Sequence, residues 1–264
     1  MNITVILPAA GAGRRYRAGD DFGPAKLDED LGGRPVLQRA VELFVKDHRV
    51  GHVLVAGPHA DAPFAEFELR HADRLTLIGA HLVRGGAIHR HETVAAALQD
   101  VPDDATHIAI HDAARPITPP PVIERVFAAA ATHPAVIPVI PVSDTLKRGG
   151  EALEATDADP LAGILGAGAS GPPPRRVLET VDRSELFAVQ TPQVFDADLL
   201  RRAYAQDDLT STDDAQLVER LGEPVVMVEG DPSNLKLTRP ADLPVVRALG
   251  GFKVAEGRPT HKRF

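Results

Sequence analysis

Small residues and cations come together directly after the first apolar run of the chain. The run Ile3 to Leu7 is followed by Pro8-Ala9-Ala10-Gly11-Ala12-Gly13-Arg14-Arg15, and Lys26 follows after a polar stretch. Small residues let backbone N–H groups approach an anion, while the arginines and the lysine add positive charge. The sequence therefore predicts a phosphate-binding loop, with a plain strand-to-helix turn as the alternative. The Walker lysine pattern is absent, and Tyr16 occupies the third glycine position of the dinucleotide fingerprint.

An acid and an arginine stand at the end of another predicted strand. His111-Asp112-Ala113-Ala114-Arg115-Pro116 comes directly after the run His107 to Ile110. Open α/β sheets bind ligands beyond the carboxyl ends of their strands, so Asp112 and Arg115 could contact a hydroxyl, a metal or a phosphate there. The alternative is local: Asp112 caps the next segment and pairs with Arg115.

A glycine pair precedes a third polar string. Gly85-Gly86 is followed by Arg90 and by Thr93-Val94 at a predicted helix start, although a glycine pair alone is more typical of a turn. His89 and His91 have no acidic pattern at ligand spacing, so we expect solvated loop residues rather than a metal site.

Further polar strings follow in the second half of the chain. They are Ser143 to Arg148, Thr180 to Arg183, Gln190 to Phe195, Thr210 to Ala215 and Asn234 to Pro240. Surface charge is the preferred interpretation of Lys147 and Arg148. Ser211 or Thr212 could cap a helix.

Apolar runs of strand length alternate with segments of helical periodicity. The predicted strands are Ile3 to Leu7, Val53 to Ala56, Leu75 to Ile78, His107 to Ile110, Val136 to Ile140 and Pro224 to Val228. The predicted helices are Val36 to Val45, Glu92 to Leu98, Pro121 to Ala131, Ser211 to Leu221 and Asp242 to Val246. This alternation is typical of an α/β fold with a mostly parallel sheet covered by helices.

The predicted domain organisation is one domain over residues 1–250 with an insertion. The segment Gly149 to Arg176 is rich in Gly, Pro, Ala and Asp and breaks the alternation, which favours an arm or a long loop. We assign residues 141–187 to a protruding arm and residues 251–264 to a flexible tail.

The overall composition narrows the possible partners. The 264 residues are 44% hydrophobic, carry a net charge of −8 and include no cysteine, which excludes disulfides and thiolate chemistry. The acidic balance argues against a broad nucleic-acid surface, and no apolar stretch approaches the roughly 20 residues of a membrane span. Without a secretory signal pattern at the N-terminus, we expect a cytoplasmic protein with a small partner.

Taken together, these strings resemble the 2-C-methyl-D-erythritol 4-phosphate cytidylyltransferases over nearly the whole chain. The resemblance rests on the loop Pro8 to Arg15, Lys26 with Gly32, the Gly85-Gly86 string, the His111 to Pro116 string and the five later strings that include Thr145, Arg183, Thr191, Thr212 and Lys236. It implies a Rossmann-like, three-layer nucleotidyltransferase fold with a protruding arm. The longer spacing between Arg15 and Lys26, Ala25 before Lys26 and the long excursion depart from the family pattern.

The resemblance also implies an activity in non-mevalonate isoprenoid precursor biosynthesis. CMP would pass from CTP to 2-C-methyl-D-erythritol 4-phosphate with release of pyrophosphate, and Mg²⁺ would bind mainly through the CTP phosphates. Arg15, Lys26 and Lys236 would be catalytic, and Asp112 is a possible metal ligand. The implied nucleotide-binding residues are Pro8, Ala9, Ala10, Gly11, Ala12, Gly13, Arg14, Gly85, Gly86 and Thr93. The implied acceptor-binding residues are Asp112, Arg115, Thr145, Arg183, Thr191 and Thr212.

In that family the arm is exchanged across a homodimer. Thr145, Arg183 and Thr191 would then complete the acceptor site of the neighbouring subunit.

Three other functions stay open from the sequence. Cytidylyl transfer to another polyol phosphate, such as ribitol 5-phosphate, would use a similar loop. A nucleotide-sugar glycosyltransferase would need an Asp-x-Asp metal motif at a strand end, whereas Asp28 to Asp30, Asp157 to Asp159 and Asp196 to Asp198 follow no clear core strand. A non-catalytic nucleotide-binding module is the third.

Overall fold

The computed structural model describes residues 1–11, 13, 16, 24–153 and 173–253. They form two compact units. The first contains Met1–Ile140 and the described chain from Val189 onward, and the second contains Pro141–Ala188. Ala12, Arg14, Arg15 and most of the predicted tail lie outside the described residues.

The strands of the described chain are, in order, β1 (Ile3–Pro8), β2 (Val50–Gly57), β3 (Ala80–Arg84), β4 (His107–Ile110), β5 (Ala135–Pro141), β6 (Leu146–Ala152), β7 (Arg175–Val181), β8 (Phe187–Val189), β9 (Gln193–Asp196) and β10 (Val226–Glu229). The main sheet has the order β10-β5-β9-β4-β1-β2-β3. Along this order the pairs are parallel except where β9 runs antiparallel between β4 and β5, and β8 also pairs with β5. The prediction of a mostly parallel sheet is confirmed.

The α-helices of the described chain are α1 (Val36–Glu42), α2 (Asp61–Leu77), α3 (Arg90–Ala97), α4 (Pro120–Ala130), α5 (Ala197–Tyr204), α6 (Ala215–Arg220) and α7 (Asp242–Leu249). Two short 3₁₀ helices cover Lys26–Asp28 and Leu98–Asp100.

Alternation along β1 explains the three layers. Ile3, Val5 and Leu7 pack with side chains of α1, α2 and α4, whereas Ile6 packs with side chains of α3, α5 and α6. Successive side chains of a strand point to opposite faces of its sheet, so an apolar strand can support helices on both sides. These two clusters and a third, which includes Leu31, Val36 and Val246, form the core of the first unit.

The order in which successive strands are added to the sheet reverses at β1. From β1 the order runs through β2 and β3 on one side, and β4 lies on the other side. In open α/β sheets this switch point leaves a crevice at the carboxyl ends of the strands, where ligands bind. The loop after β1 and the loop after β4 therefore meet at one edge of the sheet.

The structure corrects the predicted elements at three places along the chain. Leu75 to Ile78 is the end of the 17-residue helix α2 and its cap rather than a strand, and β3 begins after Gly79, which adopts a φ of +84°. A short apolar run fits one face of a helix as well as it fits a strand. The antiparallel strand β9 and the helix α5 were not predicted from the sequence. Asp213 rather than Ser211 or Thr212 accepts a first-turn amide of α6, that of Gln216, at 3.1 Å.

The second unit is built on an antiparallel pair. β6 and β7 pair from Leu146 with Val181 to Ala152 with Arg175. The ends of the predicted excursion are thus strand, while residues 154–172 lie outside the described residues. That this unit protrudes as an arm stays a prediction.

Candidate active site

A pocket of about 530 Å³ opens at the switch point of the sheet. Its walls come from the loop after β1, the loop before α3, the loop after β4 and the segment after β10. The predicted site residues that line it are Pro8, Ala9, Ala10, Gly11, Gly13, Lys26, Gly86, Thr93, Asp112 and Lys236. Residues far apart in the sequence therefore meet around one cavity large enough for a small ligand.

The loop after β1 lines the pocket mainly with small residues: Ala9, Ala10, Gly11 and Gly13. The Ala9 N–H donates to the Ala56 carbonyl at 2.8 Å, which continues the β1 pairing past the end of the strand. Gly13 has a φ of +62°, a conformation that favours glycine. Tyr16, whose N–H donates to the Gly13 carbonyl at 2.8 Å, is buried and its hydroxyl donates to Glu29 at 2.8 Å. Tyr16 therefore anchors the end of the loop.

The glycine pair before α3 is required by close packing. A Cβ on Gly85 would stand 2.5 Å from the Gly57 carbonyl oxygen, and one on Gly86 would stand 2.3 Å from Glu92 Cβ. The Gly86 N–H donates to the Thr93 hydroxyl at 3.3 Å, and that hydroxyl donates to the His89 carbonyl at 3.3 Å. Gly86 and Thr93 thus line the pocket, whereas Gly85, which was also predicted to bind the nucleotide, packs against the Gly57 carbonyl and is not a lining residue.

Lys26 enters the pocket from a short 3₁₀ helix. The same helix carries Asp28, whose carboxylate lies 2.8 Å from Nε2 of the buried His71 and 3.5 Å from Nε of Arg70. His71 and Arg70 belong to α2, so the long helix fixes the turn that carries the lysine.

Three cations surround the carboxylate of Asp112. Lys236 Nζ lies 2.8 Å from Oδ2, Arg115 Nε lies 3.5 Å from the same oxygen, and Arg90 Nε lies 3.4 Å from Oδ1. Burial alone would raise the pKa of Asp112, but the charges of Arg90 and Lys236 hold it well below its usual range. The carboxylate is therefore ionised near neutral pH.

Arg115 and Thr191 both contact Asp112 but are not among the lining residues of the pocket. Arg115 is buried, and its Nη1 donates to the Asn234 carbonyl. The Thr191 hydroxyl accepts from the Asp112 N–H at 3.1 Å, so Thr191 lies at the site of its own chain rather than at that of a neighbouring subunit, as the resemblance had implied. Burial lowers the pKa of Arg115 from its ordinary value, although Asp112 opposes this. In the structure both side chains hold Asp112 and the segment before Lys236 in place.

His111 is a buried, neutral support for the same loop. Its Nε2 lies 3.0 Å from the Arg115 carbonyl, which can only accept, so Nε2 carries the proton and Nδ1 accepts from the Thr191 hydroxyl at 3.1 Å. Burial lowers the pKa of His111 to about 4. It is therefore uncharged near neutral pH.

The predicted site residues did not include Arg90, although it lines the pocket. Its Nη2 lies 2.8 Å from Oδ2 of Asp214, which is fully buried and accepts from the Tyr204 hydroxyl at 2.6 Å. Burial opposes the charge of Arg90, but Asp214 and Asp112 raise its pKa above its usual range. The sequence string around Gly85-Gly86 contained Arg90, yet nothing in it indicated that Asp214 would lie opposite.

Several predicted residues are not brought to the pocket by the described chain. Thr145 and Arg183 belong to the second unit, where Arg183 donates to the Ser143 carbonyl. Thr212 is bonded through its N–H to the Gln216 side chain at 2.9 Å and is not among the lining residues. Arg15, Arg14 and Ala12 lie outside the described residues.

The acidic and histidine strings have structural partners. Asp28 pairs with His71, and Asp196 caps α5 by accepting from the amides of Asp198 and Leu199 at 3.0 Å each. Asp157 to Asp159 lie outside the described residues. His91 lies in the first turn of α3 rather than in a loop, and its ring stacks on His89 with centroids 5.1 Å apart. In the part of the chain that the structure describes, no three His, Cys, Asp or Glu side chains are placed to hold a metal ion.

Fold and pocket together define an α/β protein of the Rossmann-like nucleotidyltransferase type. A solved 2-C-methyl-D-erythritol 4-phosphate cytidylyltransferase from Thermus thermophilus has the same fold, with a TM-score of 0.67 and 31% identity over 95% of this chain and 100% of that one. The chain belongs to the 2-C-methyl-D-erythritol 4-phosphate cytidylyltransferase family, whose model matches residues 3–167 and 170–249. The resemblance predicted from the motifs is confirmed.

Sequence relatives support the same assignment. A protein of this name from Rhodococcus jostii (strain RHA1) is 42% identical over 248 residues, covering 94% of each chain. Another from Frankia casuarinae is 40% identical over 248 residues, covering 94% of this chain and 80% of its own. Among the described helices, none is both long and apolar enough to span a membrane.

Proposed function

We propose that the chain transfers the cytidylyl group of CTP to 2-C-methyl-D-erythritol 4-phosphate and releases pyrophosphate, as a step of isoprenoid precursor biosynthesis. The observation that carries the proposal is the convergence of Gly11, Lys26, Asp112 and Lys236 on one pocket at the switch point of the sheet. The names of the family model and the relatives supply the nucleotide and the acceptor. They favour this acceptor over ribitol 5-phosphate.

The proposed reaction is an in-line displacement at the α-phosphorus of CTP. An oxygen of the acceptor phosphate forms the new P–O bond, and the bond to the β-phosphate oxygen breaks as pyrophosphate leaves. A phosphate monoester has a second pKa of about 6, so its oxygen is already ionised near neutral pH and needs no base. This agrees with the neutral, buried His111, which supports the loop rather than faces the pocket.

In the proposed mechanism, cations neutralise the charges of the reactants. Two anionic reactants must be brought together, and charge moves onto the leaving pyrophosphate. In the proposal Lys26, a lining residue of the pocket, meets the triphosphate, and Arg15 is a second contact. Lys236, which is ion-paired with Asp112 in the structure, exchanges that partner for the acceptor phosphate. Preorganised charges of this kind lower the barrier because they need little rearrangement during the reaction.

Magnesium belongs to the proposal as an ion carried by CTP. Asp112 is the single carboxylate among the described residues that line the pocket, and its oxygens face three cations. Mg²⁺ commonly combines one carboxylate with substrate phosphates, so these residues fit an ion held mainly by the triphosphate, with Asp112 as the candidate protein ligand. When bound, the ion would neutralise charge on the phosphates.

A homodimer is the proposed assembly, with Thr145 and Arg183 reaching the acceptor site of the neighbouring subunit. Val177 and Leu178 on β7 are exposed apolar side chains, which supports contact of this strand with a neighbouring subunit. A cytoplasmic location stays part of the proposal.

The function is tested by pyrophosphate release. CTP, UTP, ATP and GTP are each incubated with Mg²⁺ and with methylerythritol, ribitol or hexose phosphates. The proposal expects release with CTP and 2-C-methyl-D-erythritol 4-phosphate, and a cytidine diphosphate conjugate as the second product. Release only with another acceptor would reassign the substrate, and CTP binding without release from any pair would leave a non-catalytic binding module.

A further inference from the structure

Beneath the pocket lies a buried carboxylate that the proposed mechanism does not use. Asp214 has no exposed surface, and it directly precedes α6. A fully buried carboxylate is rare unless it is paired, because losing its hydration is costly. Its two oxygens are divided between Arg90, at 2.8 Å, and the hydroxyl of Tyr204, at 2.6 Å.

Arg90 connects this carboxylate to the pocket. Its Nη2 faces Asp214, its Nε faces Asp112, and its side chain lines the cavity. Asp112 in turn faces Lys236 at 2.8 Å. A continuous network of charged side chains therefore runs from Asp214 through Arg90 and Asp112 to Lys236, which the proposed mechanism assigns to the acceptor phosphate.

The charges in this network do not cancel. The cations Arg90, Arg115 and Lys236 face the carboxylates Asp112 and Asp214, which leaves one net positive charge. Without Asp214, Arg90 would have Asp112 as its remaining counter-ion in the cluster. It would then compete with Lys236 for the same carboxylate.

We propose that Asp214 is a positioning residue for cytidylyl transfer: it anchors Arg90 from below, so that Arg90 steadies Asp112 while Lys236 turns from Asp112 to the acceptor phosphate. The inference rests on the proposed function and adds two residues to it. Asp214 acts only through Arg90, because the side chain of Asp214 is sealed from the cavity.

The first test is the kinetics of Asp214→Asn. We expect kcat to fall about tenfold or more, on the scale of a small misplacement of reacting groups. The KM for CTP should not rise, because the pocket gains net positive charge. Asp213→Asn is the matched control, since Asp213 is the adjacent carboxylate but accepts from Gln216 and Gln193 instead. Its kcat should stay near that of the wild-type chain.

A double-mutant cycle with Arg90→Met separates positioning from a general structural defect. If Asp214 acts through Arg90, Asp214→Asn has no further effect on kcat in the Arg90→Met background. Should D214N not fold, R90M/D214N removes both buried charges together and is compared with R90M alone. Additive losses of kcat, a raised KM for CTP in D214N or an unchanged kcat would each overturn the inference.

The outcome is distinguishable from failure of the proposed function. Turnover by the wild-type chain tests the proposed function without reference to Asp214. If the wild-type chain is inactive with every acceptor, the cycle is run on the affinity for CTP with Mg²⁺. D214N should then bind CTP at least as tightly as the wild-type chain, and any gain should vanish in the R90M background. Weaker binding by D214N in both backgrounds would contradict the inference.

Discussion

At the residue scale, the proposed reaction depends on cations that are ion-paired in the structure and that would exchange their partners for a bound anion. Lys236 illustrates this, because its ammonium lies 2.8 Å from Asp112 and its side chain is about one third exposed, at 37%. The lysine is ion-paired but still accessible to solvent. A bound phosphate can therefore compete with Asp112 for it.

Replacing Lys236 by alanine should lower kcat about a hundredfold, the scale of losing one preorganised charge contact. Steady-state pyrophosphate release measures the effect. Lys46→Ala is the control, because Lys46 is exposed and outside the pocket, and it should retain wild-type turnover. A Lys236→Ala enzyme with near-normal kcat would show that the lysine is a surface charge only.

The buried His111 predicts a loss of stability on acidification. Its pKa falls from an ordinary value of 6.5 to about 4 in the folded chain, so between those pH values the unfolded state binds the extra proton. The free energy of unfolding should therefore decrease as the pH drops from 6.5 towards 4, by up to about 1.4 kcal/mol per pH unit from this group.

Chemical denaturation at a series of pH values measures that slope. His111→Gln removes the titration and should flatten this part of the profile, although its stability at neutral pH is also reduced. His48→Gln changes an exposed histidine and should keep the wild-type slope. An unchanged slope in His111→Gln would mean that other groups control the acid sensitivity.

At the element scale, close contacts between loops shape the pocket. Gly86 is an example, because a side chain there would overlap Glu92 and the N–H of Thr93 at the start of α3. The loop and the helix can approach only if the position has no Cβ.

Gly86→Ala should therefore destabilise the chain by about 1–3 kcal/mol, the usual cost of overpacking. It should also weaken CTP binding, which calorimetry measures. Gly149→Ala is the matched control, since its Cβ would meet the side chain of Arg175 at an ordinary 3.6 Å. Equal stability of the two variants would disprove the close-packing argument.

The sequence predicted elements well where periodicity was strong and ends were marked. The strand His107–Ile110 was predicted with its observed bounds, and α4 differed by one residue at each end. The sequence-based prediction failed for Leu75 to Ile78, because a run of four residues with three apolar side chains does not distinguish the last turn of a helix from a strand. It also missed β9, since antiparallel insertion between β4 and β5 is decided by tertiary pairing and not by a local pattern.

For the site, the motifs predicted residues that have chemistry of their own. Lys26 and Asp112 stood out as charges near small residues, and Lys236 stood out as a lone lysine among uncharged residues. The structure brings all three to one pocket. Asp214 did not stand out, because its partner Arg90 is more than a hundred residues away and only folding places them together. Buried ion pairs across elements leave no spacing signal in the sequence.

At the scale of the whole molecule, the two units carry different parts of the proposed acceptor site. Lys236 belongs to the first unit and Arg183 to the second. If the site is shared across a homodimer, variants defective in different units should complement each other. Mixing Lys236→Ala and Arg183→Ala chains after subunit exchange should restore turnover that neither variant has alone, as measured by pyrophosphate release. Absence of recovery in a mixture shown to contain heterodimers would place Arg183 outside the neighbouring site.

The central claim is that one pocket aligns two anionic reactants for direct transfer. Stereochemistry at the α-phosphorus tests it most directly. CTP carrying a single sulfur diastereomer at that phosphorus is converted with 2-C-methyl-D-erythritol 4-phosphate, and the configuration of the product is determined by ³¹P NMR. A single in-line displacement predicts inversion, whereas retention would contradict the account by requiring a covalent intermediate on the chain.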